Sequence, residues 1–203
     1  MMSLVEAISV ACIVEGDGEV SALPVLLRRI REWRTAHIPV DINFPIRVRR
    51  DRFLNKDDEF RRHILLAQRK SGPEGWILIL LDADDDCPAT LGASITDRVK
   101  QIDPGIRVAV VLANREYEAW FVAAAKSLNG RRGFAFEATN NIFDAEARRD
   151  AKGWIRERMT SGVYRETSDQ AAFSAVLSLD EAHDNSRSFR KLCAEWSRHC
   201  SRD

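Results

Sequence analysis

Apolar positions fall into four strand-like stretches separated by segments of helical periodicity. Ala7 to Val14 is a run of small and branched apolar residues that stops abruptly at Glu15-Gly16-Asp17-Gly18-Glu19, the pattern of a buried strand meeting a turn. Beyond it Val20, Leu23, Leu27 and Ile30 recur at helical spacing, while Arg28, Arg29, Arg31 and Arg34 keep to other faces. Pro24 is expected in the first turn of that helix, with Ser21 as candidate cap. Ile42, Phe44, Ile46 and Val48 alternate with other residues and predict a half-exposed strand, and Pro45 puts it at a sheet edge. Asp57 to Arg69 reads as a helix with Phe60, Ile64 and Leu65 inward, ended by Ser71-Gly72-Pro73. Trp76 to Leu81 is continuously apolar, as a strand covered on both faces must be. It ends at Asp82-Ala83-Asp84-Asp85-Asp86, before a helix expected over Ala89 to Gln101 and a fourth strand over Arg107 to Leu112.

After Ala113 the pattern turns helical. Tyr117, Trp120, Phe121, Ala124 and Leu128 mark one helix, Trp154, Ile155 and Met159 a second, and a third is expected from Ser168. A last helix, from Ser186, carries Phe189, Leu192, Cys193 and Trp196 on one face. Asn129 to Asn141, rich in Gly and Arg, is the expected flexible loop. Strands alternating with helices predict an α/β fold: a parallel sheet of about four strands flanked by helices over residues 1–128, with an α-helical C-terminal extension over 129–203 packed on it.

Composition narrows the class. A hydrophobic share of 45% and a charged share of 31% belong to a globular chain, not a disordered or fibrous one. The longest apolar run, Trp76 to Leu81, is far short of a membrane span. Leu4 to Val14 contains Glu6 and has no Lys or Arg before it, which does not fit a secretory signal. Cys12, Cys87, Cys193 and Cys200 show no CxxC spacing, and Cys193, His199 and Cys200 match no usual zinc pattern. Unpaired thiols fit a reducing, cytoplasmic setting. The formal net charge is zero, so binding of a polyanion would need a local patch. Arg47, Arg49, Arg50 and Arg52, followed by Arg61 and Arg62, supply one candidate; a solvated strand edge and helix face is the plainer reading.

The chemistry concentrates at strand ends. Glu15, Asp17 and Glu19 follow the first strand, and Asp82, Asp84, Asp85 and Asp86 follow the third. In open α/β sheets ligands bind outside these carboxyl ends, where strand order reverses. Carboxylates brought together there would raise one another's pKa unless a hard cation intervened, and Mg²⁺ suits a site of few carboxylates, waters and phosphate oxygens. Gly16 and Gly18 permit a tight turn with backbone N–H groups near a phosphate, yet neither a Walker loop nor a dinucleotide fingerprint is present. Glu19 taken singly also reads as a first-turn charge, and DADDD as a solvated turn.

An apolar strand ending in VEG, then a helix, then an apolar strand ending in DxD, resembles the Toprim domain of topoisomerases, primases and recombination-linked nucleases. More narrowly, VEGDGE, LLDADDD, NREYEAWF, GVYRETSDQ and SRSFRKL in this order resemble the bacterial proteins grouped as domain of unknown function 4276, across nearly the whole chain. The resemblance implies a Toprim-like fold in which Glu15 acts as acid/base or metal ligand and Asp82 and Asp84 hold Mg²⁺ or Mn²⁺. Glu19 matches the extra glutamate of nuclease-type domains, whose sites resemble two-metal centres, and Asp86 extends DxD to DxDxD. Glu116 and Glu118 in NREYEAWF are further candidates, although Asn114 would cap a helix there and acids suit its first turn. Residues two apart on a helix diverge, so at most one is expected at the site. Lys152, Tyr164 and Arg165 match later motifs, and a lysine suits developing phosphate charge. The family often has an aspartate where this chain has Ala124.

Three functions follow as expectations. The first is a Mg²⁺- or Mn²⁺-dependent phosphodiesterase acting on nucleic acid, with Glu15, Glu19, Asp82 and Asp84 holding ions about 3.5–4 Å apart and Arg47, Arg49, Arg50 and Arg52 tracking phosphates. The second is a non-catalytic metal- or nucleic-acid-binding module working within a complex. Such domains are often joined to or encoded beside ATPases, so a separate ATPase partner and a setting in bacterial defence or DNA processing are implied. A receiver-like phosphoacceptor domain is the third; it predicts a lysine closing a fifth strand, which the sequence does not show.

Overall fold

The computed structural model describes residues 6–137, 144–147 and 149–201. Strand β1 (Ile8–Val14) is followed by α1 (Asp17–Arg34), then β2 (Val40–Ile42), β3 (Ile46–Arg47), α2 (Arg50–Asn55), α3 (Asp57–Ser71), β4 (Trp76–Asp82), α4 (Pro88–Ile102) and β5 (Val108–Ala113). The helical half comprises α5 (Ala119–Ala123), α6 (Ala125–Leu128), α7 (Ala151–Arg156), a π-helical turn (Glu166–Gln170), α8 (Ala171–Ser174), α9 (Leu179–Asn185) and α10 (Arg187–Cys200). The protein is an α/β fold with a parallel sheet flanked by helices on both faces and further helices after it.

The sheet has five strands in the order β2-β1-β4-β5, with β3 also pairing along β1, and every pairing is parallel. From β1 the chain first winds towards β2 and β3, then crosses back to lay β4 on the other side of β1. Order therefore reverses between β1 and β4, which opens a crevice at their carboxyl ends.

Alternation explains why these strands read as unbroken apolar runs. Val10, Cys12, Trp76, Leu78, Ala109 and Val111 face one core with α1 and the C-terminal helices. Ala11, Ile13, Ile77, Ile79, Val108 and Val110 face a second core with Phe53, Phe60, Ile64 and Val99 of α2, α3 and α4. Phe134, Trp154, Phe173, Phe189, Leu192 and Trp196 lie in the first core, so residues beyond 128 complete the same hydrophobic layer as α1.

Several elements differ from the sequence reading. Helix α1 starts at Asp17, so Gly16 rather than Ser21 is its cap and Pro24 lies in its second turn. The expected second strand is split: Asn43 turns its side chain into Ser9 Oγ and the Val10 carbonyl (2.8 and 3.1 Å), and Phe44 points to solvent. Arg50–Asn55, to which the periodicity assigns no element, is helix α2, anchored by buried Phe53. Leu65 is only partly buried, Ala67 taking the inward position on α3. The helix expected over 117–128 breaks at Ala124, and α9 has no counterpart in the periodicity reading. In the 129–141 loop, residues 138–141 lie outside the described residues. The part before them is tied down: Phe134 is buried and bridges Met159, and Ala135 N donates to the Arg158 carbonyl at 2.8 Å.

Among the described residues no helix is long and apolar enough to cross a membrane. Cys193 and Cys200 are buried and their thiols are pushed up to about 12 by that burial. His199 stacks on Trp76 with ring centroids 4.7 Å apart, in the core rather than in a metal site. Burial, then Arg198, pulls its pKa down to about 4, with Arg107 and Lys100 adding to the pull and Glu195 opposing it. A histidine held neutral when folded, with an ordinary value near 6.5 when unfolded, gives the unfolded chain more protons between those two values. Stability is therefore expected to fall by about 2 kcal/mol from pH 6.5 to pH 5 through this residue. Urea denaturation of wild type and His199→Gln across that window measures it; equal slopes for the two proteins would sink the assignment.

Candidate metal centre

Each acid of the crevice is placed by the end of a strand or the first turn after it. Glu15 directly follows β1, Asp82 ends β4, and Glu118 stands at the start of α5, just after β5. Glu19 lies in the first turn of α1, which bends it back over the β1 end: a Cβ on Gly16 would sit 2.3 Å from Glu19 Oε2. Gly16 is thus required for the close approach of that carboxylate.

Asp82 is the electrostatic centre. Protein surrounds it, and burial followed by Glu118, Glu19 and Glu15 raises its pKa well above the ordinary carboxylate range, against the pull of Lys152. Its Oδ1 accepts the Tyr117 backbone N–H at 2.9 Å, which aims the carboxylate across the crevice. Glu15, half-buried, is also raised by burial and then by Asp84 and Glu19, with Arg50 and Lys152 opposing. Glu118, fully buried, is raised to about 7, burial outweighing Lys152 and the Tyr164 hydroxyl. This excess of negative charge is the condition a hard cation relieves.

Two groups the sequence reading did not place at the centre organise these acids. The Arg50 guanidinium lies 3.5 Å from Asp84 and 2.5 Å from Asp86, and donates from Nε to the Asp82 carbonyl at 3.3 Å. Gln170, completely buried at the end of the π-helical turn, donates from Nε2 to Glu118 Oε1 at 3.0 Å and to Glu19 Oε1 at 3.2 Å. Gly18 makes room for it, since a Cβ there would lie 2.2 Å from Gln170 Oε1. Tyr164 completes the arrangement, its hydroxyl donating to Glu118 Oε1 at 2.9 Å. Gln170 closes the GVYRETSDQ motif, so a signal existed; nothing in the spacing showed which of its polar residues turns inward.

The remaining candidates separate. Glu116 turns away from Glu118 and accepts the Lys152 backbone N–H at 3.1 Å. Lys152 reaches Glu166 at 3.4 Å; burial would lower its pKa, but Glu118, Glu166, Asp82 and Glu116 outweigh that and hold it above its usual value. Asp85 is exposed and pairs with Arg115 and Arg149. Arg47 pairs with Asp17 at 3.1 Å on the crevice rim, and Arg49 is exposed beside it. Arg52 pairs with Glu59 of α3, away from the acids. The four arginines therefore do not form one continuous track. Asn114 reaches Glu146 rather than capping a helix. Ala124 is fully buried in the core at the α5–α6 break, a place with no room for an unpaired charge.

Backbone strain marks the same spot. Asp84 and Arg115 are left-handed, with φ of 51° and 66°, and the Asp84 N–H donates to the Arg115 carbonyl at 3.0 Å. Non-glycine residues held this way cost of order 1–3 kcal/mol each and cluster at functional sites.

The chain matches a family model described as a domain of unknown function, DUF4276, over residues 14–195. It belongs to that family. No curated protein and no solved structure matches it. The DUF4276 match takes in Glu15, Glu19, Asp82, Asp84 and Glu118 together with Lys152, Tyr164 and Gln170, so the crevice and the helical segments that close it lie within one family region.

Among the described residues, no three His, Cys, Asp or Glu side chains stand close enough to chelate an ion as they are. Arg50 holds Asp84 and Asp86, and Gln170 holds Glu19 and Glu118. The donor set nevertheless fits a hard cation: Glu15 Oε2, Glu19 Oε2 and Glu118 Oε2 are buried oxygens without a hydrogen-bond partner.

Proposed function

We propose that this DUF4276 protein is a Mg²⁺- or Mn²⁺-dependent phosphodiesterase acting on nucleic acid, with its metal centre at Glu15, Asp82 and Asp84. One observation carries the reading. At the point where strand order reverses, burial raises the pKa of both Glu15 and Asp82, Asp84 raises Glu15 further and Glu15 adds to the rise at Asp82, and Glu15 Oε2 is buried with nothing to bond. The order of strands and acids resembles the Toprim arrangement, which supports the same reading. A divalent ion held there would polarise a phosphodiester and lower the pKa of attacking water. The protein's own groups supply the rest. Tyr117 N–H orients Asp82, Lys152 puts a fixed positive charge beside it, and Arg47 and Arg49 on the rim would meet phosphates in a salt-dependent way.

A second reading is a metal- or nucleic-acid-binding module that acts only within a complex, with a separate ATPase as the partner. The Arg50 ion pairs favour it, because a guanidinium occupies Asp84 and Asp86 until something draws it away.

The test is incubation of the purified protein with supercoiled plasmid, linear duplex, single-stranded DNA and RNA, each with Mg²⁺, Mn²⁺ or EDTA. Cleavage that EDTA abolishes is expected. Cleavage that persists in EDTA would remove the metal assignment, and metal binding without cleavage would favour the module.

A further inference from the structure

Strand β5 ends the sheet, and among the described residues no strand lies on its outer side. The Arg107 and Ala113 carbonyls accept from the Ile77 and Ala83 N–H groups, each at 2.9 Å, so alternate residues from Arg107 onward turn their backbone groups towards β4. Val108, Val110 and Leu112 therefore turn theirs outward. Among the described residues no turn, loop or side chain bonds to the backbone of these three. Free edges of this kind pair with other chains, and proteins commonly blunt them with a lysine, a proline or a bulge. Val108–Ala113 reads VAVVLA in unbroken register with β4 and carries none of these.

The edge forms the floor of a groove of about 830 Å³ between α4 and α10, whose two walls differ. On α4, Ala89, Gly92, Ala93 and Thr96 share one face and leave space above the strand: a Cβ on Gly92 would lie 4.0 Å from Val110 Cγ1. On α10, Arg187, Lys191 and Arg198 form an exposed row. Glu195 pairs with both Lys191 and Arg198, one negative charge against two positive, and among the described residues Arg187 has no ion pair. Glu146, at the end of the groove, is turned to the Ser186 and Ser188 donors.

A single extended chain fits these walls. Laid along β5, its successive side chains point to opposite sides. Every second one would enter the space over α4, and the others would meet the cations of α10. A second copy of the protein fits badly. Its β5, paired here across a two-fold axis normal to the sheet, would bring α10 against α10 and the basic row against itself. A nucleic acid strand would suit the cations but offers no ladder of amides for Val108, Val110 and Leu112.

We propose that the groove between α4 and α10 binds an extended acidic segment of a partner protein, which adds a strand to the free edge of β5 and alternates apolar residues with Asp or Glu. Main-chain pairing supplies affinity, and the α10 cations decide which side of the segment faces them. None of the crevice acids lines this groove, so it stands whatever the metal centre holds.

Fluorescence anisotropy of the full chain with a labelled octapeptide of alternating Val and Glu tests the groove. Wild type should bind it saturably, and should bind the Val-Lys counterpart and a labelled oligothymidine at least about tenfold more weakly. Only alternate N–H groups of an added strand face β5. Methylating the Val nitrogens and methylating the Glu nitrogens should therefore differ, one abolishing binding and the other sparing it. Gly92→Leu, which fills the α4 wall, and Arg187→Gln with Lys191→Gln, which strips the α10 wall, should each weaken binding about tenfold; near-ultraviolet circular dichroism identifies which variants are folded. No binding of the Val-Glu peptide, equal binding of the Val-Lys peptide, or equal effects of the two methylations would overturn the assignment. So would unchanged binding by folded Gly92→Leu. Oligothymidine binding that exceeds peptide binding and is blocked by Gly92→Leu would give the groove to nucleic acid instead.

Discussion

Asp82→Asn should lose metal-dependent cleavage by roughly 10³-fold or more and, in the absence of divalent ions, should be more stable than wild type. Both effects come from one cause. The Asp82 carboxylate lies in protein surroundings among Glu118, Glu19 and Glu15, with Lys152 as its main counterweight, so its ionised form is strained without a cation. Asparagine removes the charge but keeps an oxygen for the Tyr117 N–H, so the loop after β5 is held as before. Relief of this crowding is worth about 1–2 kcal/mol. With Mg²⁺ present the order should change: an ion at about 100-fold its dissociation constant adds about 2.7 kcal/mol to the protein that binds it and nothing to the one that does not. Urea unfolding of both proteins in EDTA and in Mg²⁺ gives the four numbers needed. If Asp82→Asn were the less stable protein in EDTA, the carboxylates would not be in conflict, and a cation would have no charge crowding to relieve.

The difference between what the sequence and the structure disclose follows from what each interaction depends on. β1 and β4 were legible because strands covered on both faces cannot carry polar residues, so the first acid after each run marks its carboxyl end. Glu15 and Asp82 therefore announced themselves by position, and the neighbouring β1 and β4 bring them to one crevice. Arg50 was hidden among Arg47, Arg49 and Arg52, which look alike in sequence. Helix α2 turns them in different directions, Arg50 towards Asp84 and Asp86 and Arg52 towards Glu59. Gln170 was hidden for a different reason. A π-helical turn shifts its register, so no 3.6-residue periodicity placed its side chain on the buried side. The break at Ala124 has no Pro or Gly to mark it either, and Trp120 and Phe121 of α5 just before it are buried against Tyr117 and Phe173.

Glu146 has the largest expected effect on folding among the polar residues, and it acts on the crevice from a distance. It is 4% exposed, yet its pKa is lowered, because the cost of burial is outweighed by donors from Ser186, Ser188 and Asn114. The Ser186 hydroxyl lies 2.6 Å from Glu146 Oε1, and the Ser188 N–H and hydroxyl each lie 2.7 Å from it. These donors belong to the first turn of α10, and Ser186 also caps that helix through the Phe189 N–H. Ser188 passes the order on, accepting the Trp120 indole N–H at 2.8 Å. Glu146 thus pins the segment leading to α7, with Lys152, against both α10 and α5. Glu146→Ala would leave several buried donors unpaired at the cost of hydrogen bonds to a charged group, about 4 kcal/mol in all. Glu146→Gln, which keeps an acceptor but no charge, should lose less than half of that. The sign with pH follows from the lowered pKa: the stabilisation is fully present above the unfolded value near 4.5 and is lost as pH falls through the lower folded value. Chemical denaturation of the three proteins at pH 7.5 and pH 3.5 should show Glu146→Ala far below wild type at the higher pH and the gap narrowing at the lower. A constant gap would mean that the shape of Glu146 matters and its charge does not.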